Sequence, residues 1–258
     1  MGVINVTPDS FSDGGNFFET NHALEMALEL IKQGAEIIDI GGESTRPGSD
    51  IVDVDEEIKR VVPVIEQLRN INSDIIISID TSKPLVMQAA IQAGANFIND
   101  VNALQQEGCV EIVANLNLPV CLMHKQGKPK TMQDQPHYFD VLAEVMEFFK
   151  ERISKCLAAG IKSKNIILDP GIGFGKTLEH NLTLLKNIKH LKSLGYPILI
   201  GVSRKSMIGE ILNAEVDDRI FGSLAIAQFA YMNGANYLRV HDVKATADVL
   251  KITQKLIN

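Results

Sequence analysis

Short β-rich runs alternate with helical segments eight times along 258 residues, and this alternation constrains the fold more than any single motif. The runs are "GVINV" (2–6), "EIIDI" (36–40), "DIIISI" (74–79), "ANFIN" (95–99), "PVCLM" (119–123), "NIILD" (165–169), "PILIG" (197–201) and "NYLRV" (236–240). Between them apolar residues recur at helical spacing, as in "HALEMALELIKQGA", where Leu24, Ala27, Leu28 and Ile31 share one face. Several helices run into glycine, in "KQGAE", "QAGAN", "SLGYP" and "NGANY", which predicts C-caps before the next strand. Eight such units predict an α/β protein built as a (β/α)8 TIM barrel, one domain spanning residues 1–258. A doubly wound open sheet is the rival, but it uses fewer strands and a phosphate fingerprint. No low-complexity stretch or linker divides the chain.

Composition excludes several function classes. The formal net charge is −7 without a basic run, which argues against nucleic acid and for small-molecule partners. No apolar stretch reaches the ~18 residues of a membrane span. The opening "MGVINVTPDSFSDGG" is not a secretory signal, so the expected compartment is the cytoplasm. Cys109, Cys121 and Cys156 lack C-x-x-C spacing and read as buried free thiols. His22, His180 and His190 fall at helix starts or faces, where capping or exposure accounts for them. Met26, Met87, Met146 and Met232 read as core. The status of His124 stays open between structure and substrate.

"LDPGIGFGKT" (168–177) imitates a nucleotide-binding loop and fails the count. A P-loop needs glycines five positions apart. Five before Gly175 stands Pro170, which has no N–H for a phosphate. Whether Lys176 faces solvent is open at this stage.

Active sites of (β/α)8 barrels sit at the C-terminal strand mouths. Polar residues gather at those ends: Asn5 and Thr7, then Glu43 to Arg46, Asp80, Asn99 with Asp100, and Met123 with His124. Asp169, "SRKS" (203–206), Arg239, His241 and Asp242 complete the ring. Asp and Asn also favour turns and caps, an explanation that serves single residues better than the set. The acids and amides suit a flat, nitrogen-rich heterocycle, since a carboxylate accepts paired N–H donors. The cations Arg46, Arg204, Lys205 and Arg239 suit an anion, and Asn5 offers a neutral oxygen to Mg2+.

The motifs "NVTPDSFSDGG", "GGESTRPG", "DTSKP", "FINDV", "CLMHKQG", "LDPGIGFGK", "GVSRKSMIG" and "RVHD" together resemble the dihydropteroate synthase family, in order, from the first residues to about Asp242. The resemblance implies a transferase joining p-aminobenzoate to 6-hydroxymethyl-7,8-dihydropterin diphosphate, with release of diphosphate in folate synthesis. It implies a pterin pocket of Asp80, Asn99, Asp169 and Lys205, with Met123 and Gly173 close to the ring. Ser206 matches a position near the p-aminobenzoate carboxylate, and Phe174 and Pro47 wall that slot. Asn5, Arg46, Arg239 and His241 match the diphosphate set, Asn5 also serving as the Mg2+ ligand. Thr45 and Arg46 lie on one mobile loop, Phe11 and Asp13 on another. The expected catalytic groups are Asp80, Asp169, Lys205 and Arg239, in a dissociative substitution with the acids as electrostatic partners. The loop glycines would let backbone pass close to the pterin. A homodimer is implied.

Met1 takes the place of a Met that is internal to the family pattern, so a short segment before the first strand is expected to be missing. A methyltetrahydrofolate methyltransferase-type barrel and a non-catalytic pterin-binding scaffold are the alternatives.

Overall fold

Alternation within each strand decides which side chains enter the barrel and which meet the helices. The strands are β1 (Gly2–Asn5), β2 (Ile37–Gly41), β3 (Ile76–Asp80), β4 (Phe97–Asp100), β5 (Val120–Met123), β6 (Ile166–Asp169), β7 (Leu199–Gly201) and β8 (Tyr237–Arg239). Each lies within two residues of its predicted run at either end. One face carries Ile38, Ile40, Ile77, Ile79, Ile98 and Leu122, which pack with the helices in the large core. The other carries Phe97, Cys121, Ile167 and Leu199, a separate cluster with Met1 and Tyr237 against it. This second cluster is the barrel floor; Asp39 and Ser78 lie level with Phe97, and Asp80, Asn99, Asp169 and Arg239 are the next inward positions on their strands.

The computed structural model describes residues 1–6, 16–44, 49, 51–127 and 132–257. All pairings are parallel: β1 to β6 form one sheet, and β7 with β8 form a second. Single bridges Leu168↔Ile198 and Gly2↔Val240 join the two and close the barrel. At the closure Val240 N donates to Met1 O at 2.9 Å, and the Met1 amine donates to Leu238 O at 3.0 Å.

Ten helices surround the strands among the described residues: α1 (Asn16–Lys32), α2 (Val54–Ile71), α3 (Pro84–Gln92), α4 (Cys109–Leu116), α5 (Val141–Ala158), α6 (Leu178–Lys186), α7 (Ile188–Lys192), α8 (Ser206–Leu212), α9 (Ile220–Met232) and α10 (Val243–Ile257). No described helix is long and apolar enough to cross a membrane. Side-chain caps start three of them. Asp53 accepts from Asp55 N, Asp140 from Leu142 N and Ala143 N, and Thr177 forms a capping box with His180. The capping expected of His180 is thus met. The four predicted glycine stops, Gly34, Gly94, Gly195 and Gly234, all have φ between 86° and 114°.

The three cysteines are buried and free, as expected. Of the methionines read as core, Met87 is fully buried, but Met26 and Met232 are exposed, because helical spacing alone does not say which face meets the barrel. Asp100 proves to be a turn former. Its carboxylate accepts from Asn102 N and Leu104 N, both at 2.7 Å. Ala103 and Leu104 hold φ of 51° and 56°, and their carbonyls accept from buried Arg152 of α5 at 2.8 Å each.

Arg152→Met should therefore leave two carbonyls unpaired under the β4–α4 loop and cost about 2–4 kcal/mol in urea unfolding.

Candidate active site

Parallel register sets the last inward residues of neighbouring strands side by side, with a step of one inward position between β4 and β5, where Asn99 lies opposite Cys121. Asn5 lies opposite Gly41, Gly41 opposite Asp80, Asp80 opposite Asn99, Met123 opposite Asp169, and Gly201 opposite Arg239. The barrel is closed, so these residues ring one opening. Asp80, Asn99, Met123 and Asp169 are all buried there.

Arg239 is the hub. Its Nε donates to Asp39 Oδ2 at 2.6 Å, and its Nη2 donates to Asp80 Oδ2 at 2.7 Å. Asp39 Oδ2 also accepts from Asn99 Nδ2 at 3.1 Å. Asp39 is wholly buried in the middle of β2. Sequence reasoning missed it by reading only the strand ends, although an acid at an inward position of "EIIDI" was the available signal. The Oδ1 atoms of Asp39 and Asp80 and the Ser78 hydroxyl are buried with no protein partner.

Burial sets the charge state of this cluster. It pushes the Asp80 carboxyl up to about 8, against the pull of Arg239 and with help from Asp39. Burial opposes the charge on Arg239, but Asp39 and Asp80 outweigh it and hold its pKa above the usual value. Burial also raises Asp169, opposed by Lys205 and by the Gly171 N–H that donates to Asp169 Oδ1 at 2.7 Å. Lys205 is brought down to about 8 by burial, against the attraction of Asp169. Its ammonium donates to Ile172 O and sits 4.6 Å from the Phe174 ring centroid.

The glycine loop after β6 is folded onto the loop after β5. Gly171 and Gly175 have φ of 66° and 62°, and a Cβ on either would collide with a backbone carbonyl oxygen, of His124 or Gln126 respectively. The close approach that requires glycine at these two positions is to protein backbone, which corrects the expectation of an approach to the heterocycle. Gly173 differs, since its Cβ would meet Lys205 Cδ at 3.2 Å. Lys176 is buried. Its ammonium contacts His124 Nδ1 at 3.0 Å and donates to the carbonyls of Gly171 at 3.0 Å and Phe174 at 3.1 Å. Burial lowers Lys176 to about 7, and burial with the neighbouring Lys176 lowers His124 to about 3, so this histidine is a neutral packing partner.

Two more expectations are adjusted. Arg204 is no free anion receptor, since its guanidinium forks onto Asp242 at 3.0 and 2.6 Å and ties the ends of β7 and β8. Glu43 is likewise engaged, accepting from Val52 N at 2.8 Å and Lys83 Nζ at 2.5 Å, while buried Glu57 also pairs with Lys83. His241 Nδ1 lies 3.1 Å from Ser203 Oγ, beyond the end of β8. Ser206 is exposed at the start of α8 and lines a cavity of about 280 Å3 with Lys176, Asn181 and Glu210. Phe11, Asp13, Thr45, Arg46 and Pro47 lie outside the described residues.

A ring of acids, an amide and cations stands at the barrel mouth, and the comparisons show the family. The profile of the family described as pterin binding enzyme matches residues 1–241. The dihydropteroate synthase of Haemophilus influenzae is 51% identical over 258 residues, covering 100% of this chain and 94% of its own. Among solved structures, Xanthomonas albilineans dihydropteroate synthase with 4-aminobenzoic acid superposes with a TM-score of 0.94 at 48% identity, covering 100% of this chain and 92% of that one. The same enzyme in complex with 7,8-dihydropteroate gives 0.91 at 46% identity, with coverage of 100% and 92%. The chain belongs to the pterin-binding enzyme family, and within it to the dihydropteroate synthases, transferases of folate biosynthesis.

Gly171→Ala should cost more than about 3 kcal/mol, adding overpacking to left-handed strain. Gly160→Ala, at φ 94° with open space around it, should cost only about 1–2 kcal/mol. Equal losses in parallel urea unfolding would contradict the packing account.

Proposed function

We propose that this barrel mouth binds 6-hydroxymethyl-7,8-dihydropterin diphosphate with its ring in the acidic half and its diphosphate toward the cations, and that p-aminobenzoate displaces the diphosphate. The observation that carries the reading is the buried, unpaired Oδ1 of Asp80 beside Asn99, with Asp169 on the same ring of strand ends. An unmet buried acceptor costs about 1–3 kcal/mol, which an N–H edge of a ligand offsets. Met123 and Gly173 border the ring site, Lys205 bonds the ring's polar edge, and Phe174 and Ser206 bound the p-aminobenzoate slot.

The reaction breaks the bond between the pterin methylene and the diphosphate oxygen and forms a bond from the same carbon to the arylamine nitrogen. The amine is already neutral and nucleophilic near pH 7, so the difficult part is charge separation. In the free site burial raises Asp80 to about 8; positive charge developing on the pterin draws it to its carboxylate, and Asp80 and Asp169 then stabilise that charge. Arg239, with His241 nearby, stabilises the negative charge leaving with the diphosphate. The amine proton departs to solvent or diphosphate after the new bond forms.

The donor set fits Mg2+. The described residues hold no group of three or more His, Cys, Asp or Glu that could cage a metal. A hard cation that takes most of its ligands from diphosphate and water needs only a site such as the neutral amide oxygen of Asn5. When bound, Mg2+ would supply charge neutralisation on the diphosphate.

The decisive experiment is diphosphate release from the pterin substrate with and without p-aminobenzoate and Mg2+. Release should require both. Asp80→Ala should lower kcat by about 10²–10³ with circular dichroism unchanged, and near-normal turnover would remove its electrostatic role. Release indifferent to both p-aminobenzoate and Mg2+ would overturn this account of the displacement.

The assembly we infer is a homodimer through α8 and α9. Helix α9 turns Ser223, Ala227 and Ala230 inward, yet exposes Phe221, Phe229 and Met232, near exposed Ile211 and Leu212 of α8. A helix apolar on both sides calls for cover on both. Light scattering should give twice the 28.3 kDa chain mass, and Phe221→Glu should shift it toward monomer.

A further inference from the structure

We propose that Asp39 is a positioning residue that sets the specificity of the mouth by fixing which way Asn99 faces. This deepens the pterin reading above and rests on it. Asp39 is wholly buried one inward position below Gly41, and its Oδ2 receives both Arg239 Nε at 2.6 Å and Asn99 Nδ2 at 3.1 Å. Asp39 Oδ2 already accepts from Arg239 Nε, so this oxygen faces Asn99 as an acceptor. An amide beside it must therefore present its N–H, and Asn99 Oδ1 is turned the other way. Asn99 would otherwise offer a donor or an acceptor equally well.

The consequence is an opening edged by acceptors. Asn99 Oδ1 joins the unpaired Asp80 Oδ1, and Asp169 stands one inward position higher at the end of β6. Such a set selects a heterocycle edge rich in N–H groups and rejects one presenting carbonyl and ring nitrogen acceptors, because mismatched acceptors would face each other unpaired. Asp39 has a second effect through the same oxygen. By holding Nε of Arg239, it keeps the guanidinium shared between two acids, so that Arg239 binds only Oδ2 of Asp80 and leaves Oδ1 to the ligand. Asp39 touches no substrate in this scheme. It acts through Asn99 and Arg239.

The test compares Asp39→Ala, Asp39→Asn, Asn99→Ala and the double variant Asp39→Ala/Asn99→Ala. It uses calorimetric binding of 6-hydroxymethylpterin and separate KM values for the two substrates. Asp39→Ala should weaken pterin binding tenfold or more, while KM for p-aminobenzoate stays within twofold. Asp39→Asn keeps an oxygen able to accept from both partners and should recover at least half of that loss on a logarithmic scale. Asn99→Ala should add less than twofold in the Asp39→Ala background, against tenfold or more alone. Full additivity of the two substitutions, or pterin binding by Asp39→Ala equal to the parent, would overturn the inference and leave the function standing. A parent protein that fails to bind pterin would overturn the function and this inference with it. Circular dichroism and thermal midpoints identify a variant that has not folded, in which case Asp39→Asn carries the comparison: a loss of pterin affinity at most half that of Asn99→Ala on a logarithmic scale, with the p-aminobenzoate KM unchanged, supports the inference, and a larger loss or a parallel rise in both KM values overturns it.

Discussion

One guanidinium fastens the end of the chain to its beginning. Arg239 on β8 reaches Asp39 on β2 and Asp80 on β3, and Asn99 on β4 bonds the same Asp39 oxygen. Four strands are thereby tied across the barrel interior, directly above an apolar floor of Phe97, Cys121, Ile167 and Leu199. Two buried acids would repel each other without Arg239, and Arg239 would be a lone, partly buried cation without them. The balance is incomplete, since two carboxylate oxygens keep no partner in the protein. In the proposed function, stability and ligand recognition thus draw on the same three side chains.

Much of this was legible in the sequence because period-two and helical patterns are strong in a chain buried on both faces of its sheet. The strand ends "SID", "IND" and "LD" announced Asp80, Asn99 and Asp169 by breaking apolar runs. Asp39 breaks such a run too, but in its middle, where barrel interiors are ordinarily packed with apolar side chains. Only the closed geometry shows that a carboxylate in the second layer can reach the first. Arg204 and Glu43 misled in the opposite direction. Each stands at a strand mouth, and each is committed to a partner far along the chain, Asp242 and Lys83 respectively, a pairing that no local pattern encodes.

The loop "PGIGFGK" makes the same point chemically. Its glycines and lysine look arranged for phosphate, yet Lys176 spends its ammonium on His124 and on carbonyls of its own loop. Two of the glycines exist so that this loop can lie flush on its neighbour. The result is a rigid support for Asp169 on one side and Phe174 with Lys205 on the other. Burial explains the arrangement, and burial is what a motif pattern leaves out.

The way the sheet closes has a mechanical corollary. Six strands form one panel of the wall and two form another, with a single bridge at each joint. The larger panel bears every acid of the cluster, while Lys205 and Arg239 belong to the smaller. In the binding mode proposed here, a molecule offering a hydrogen-rich ring at one end and an anionic tail at the other would grip both panels at once, and so act as a rivet across the seams.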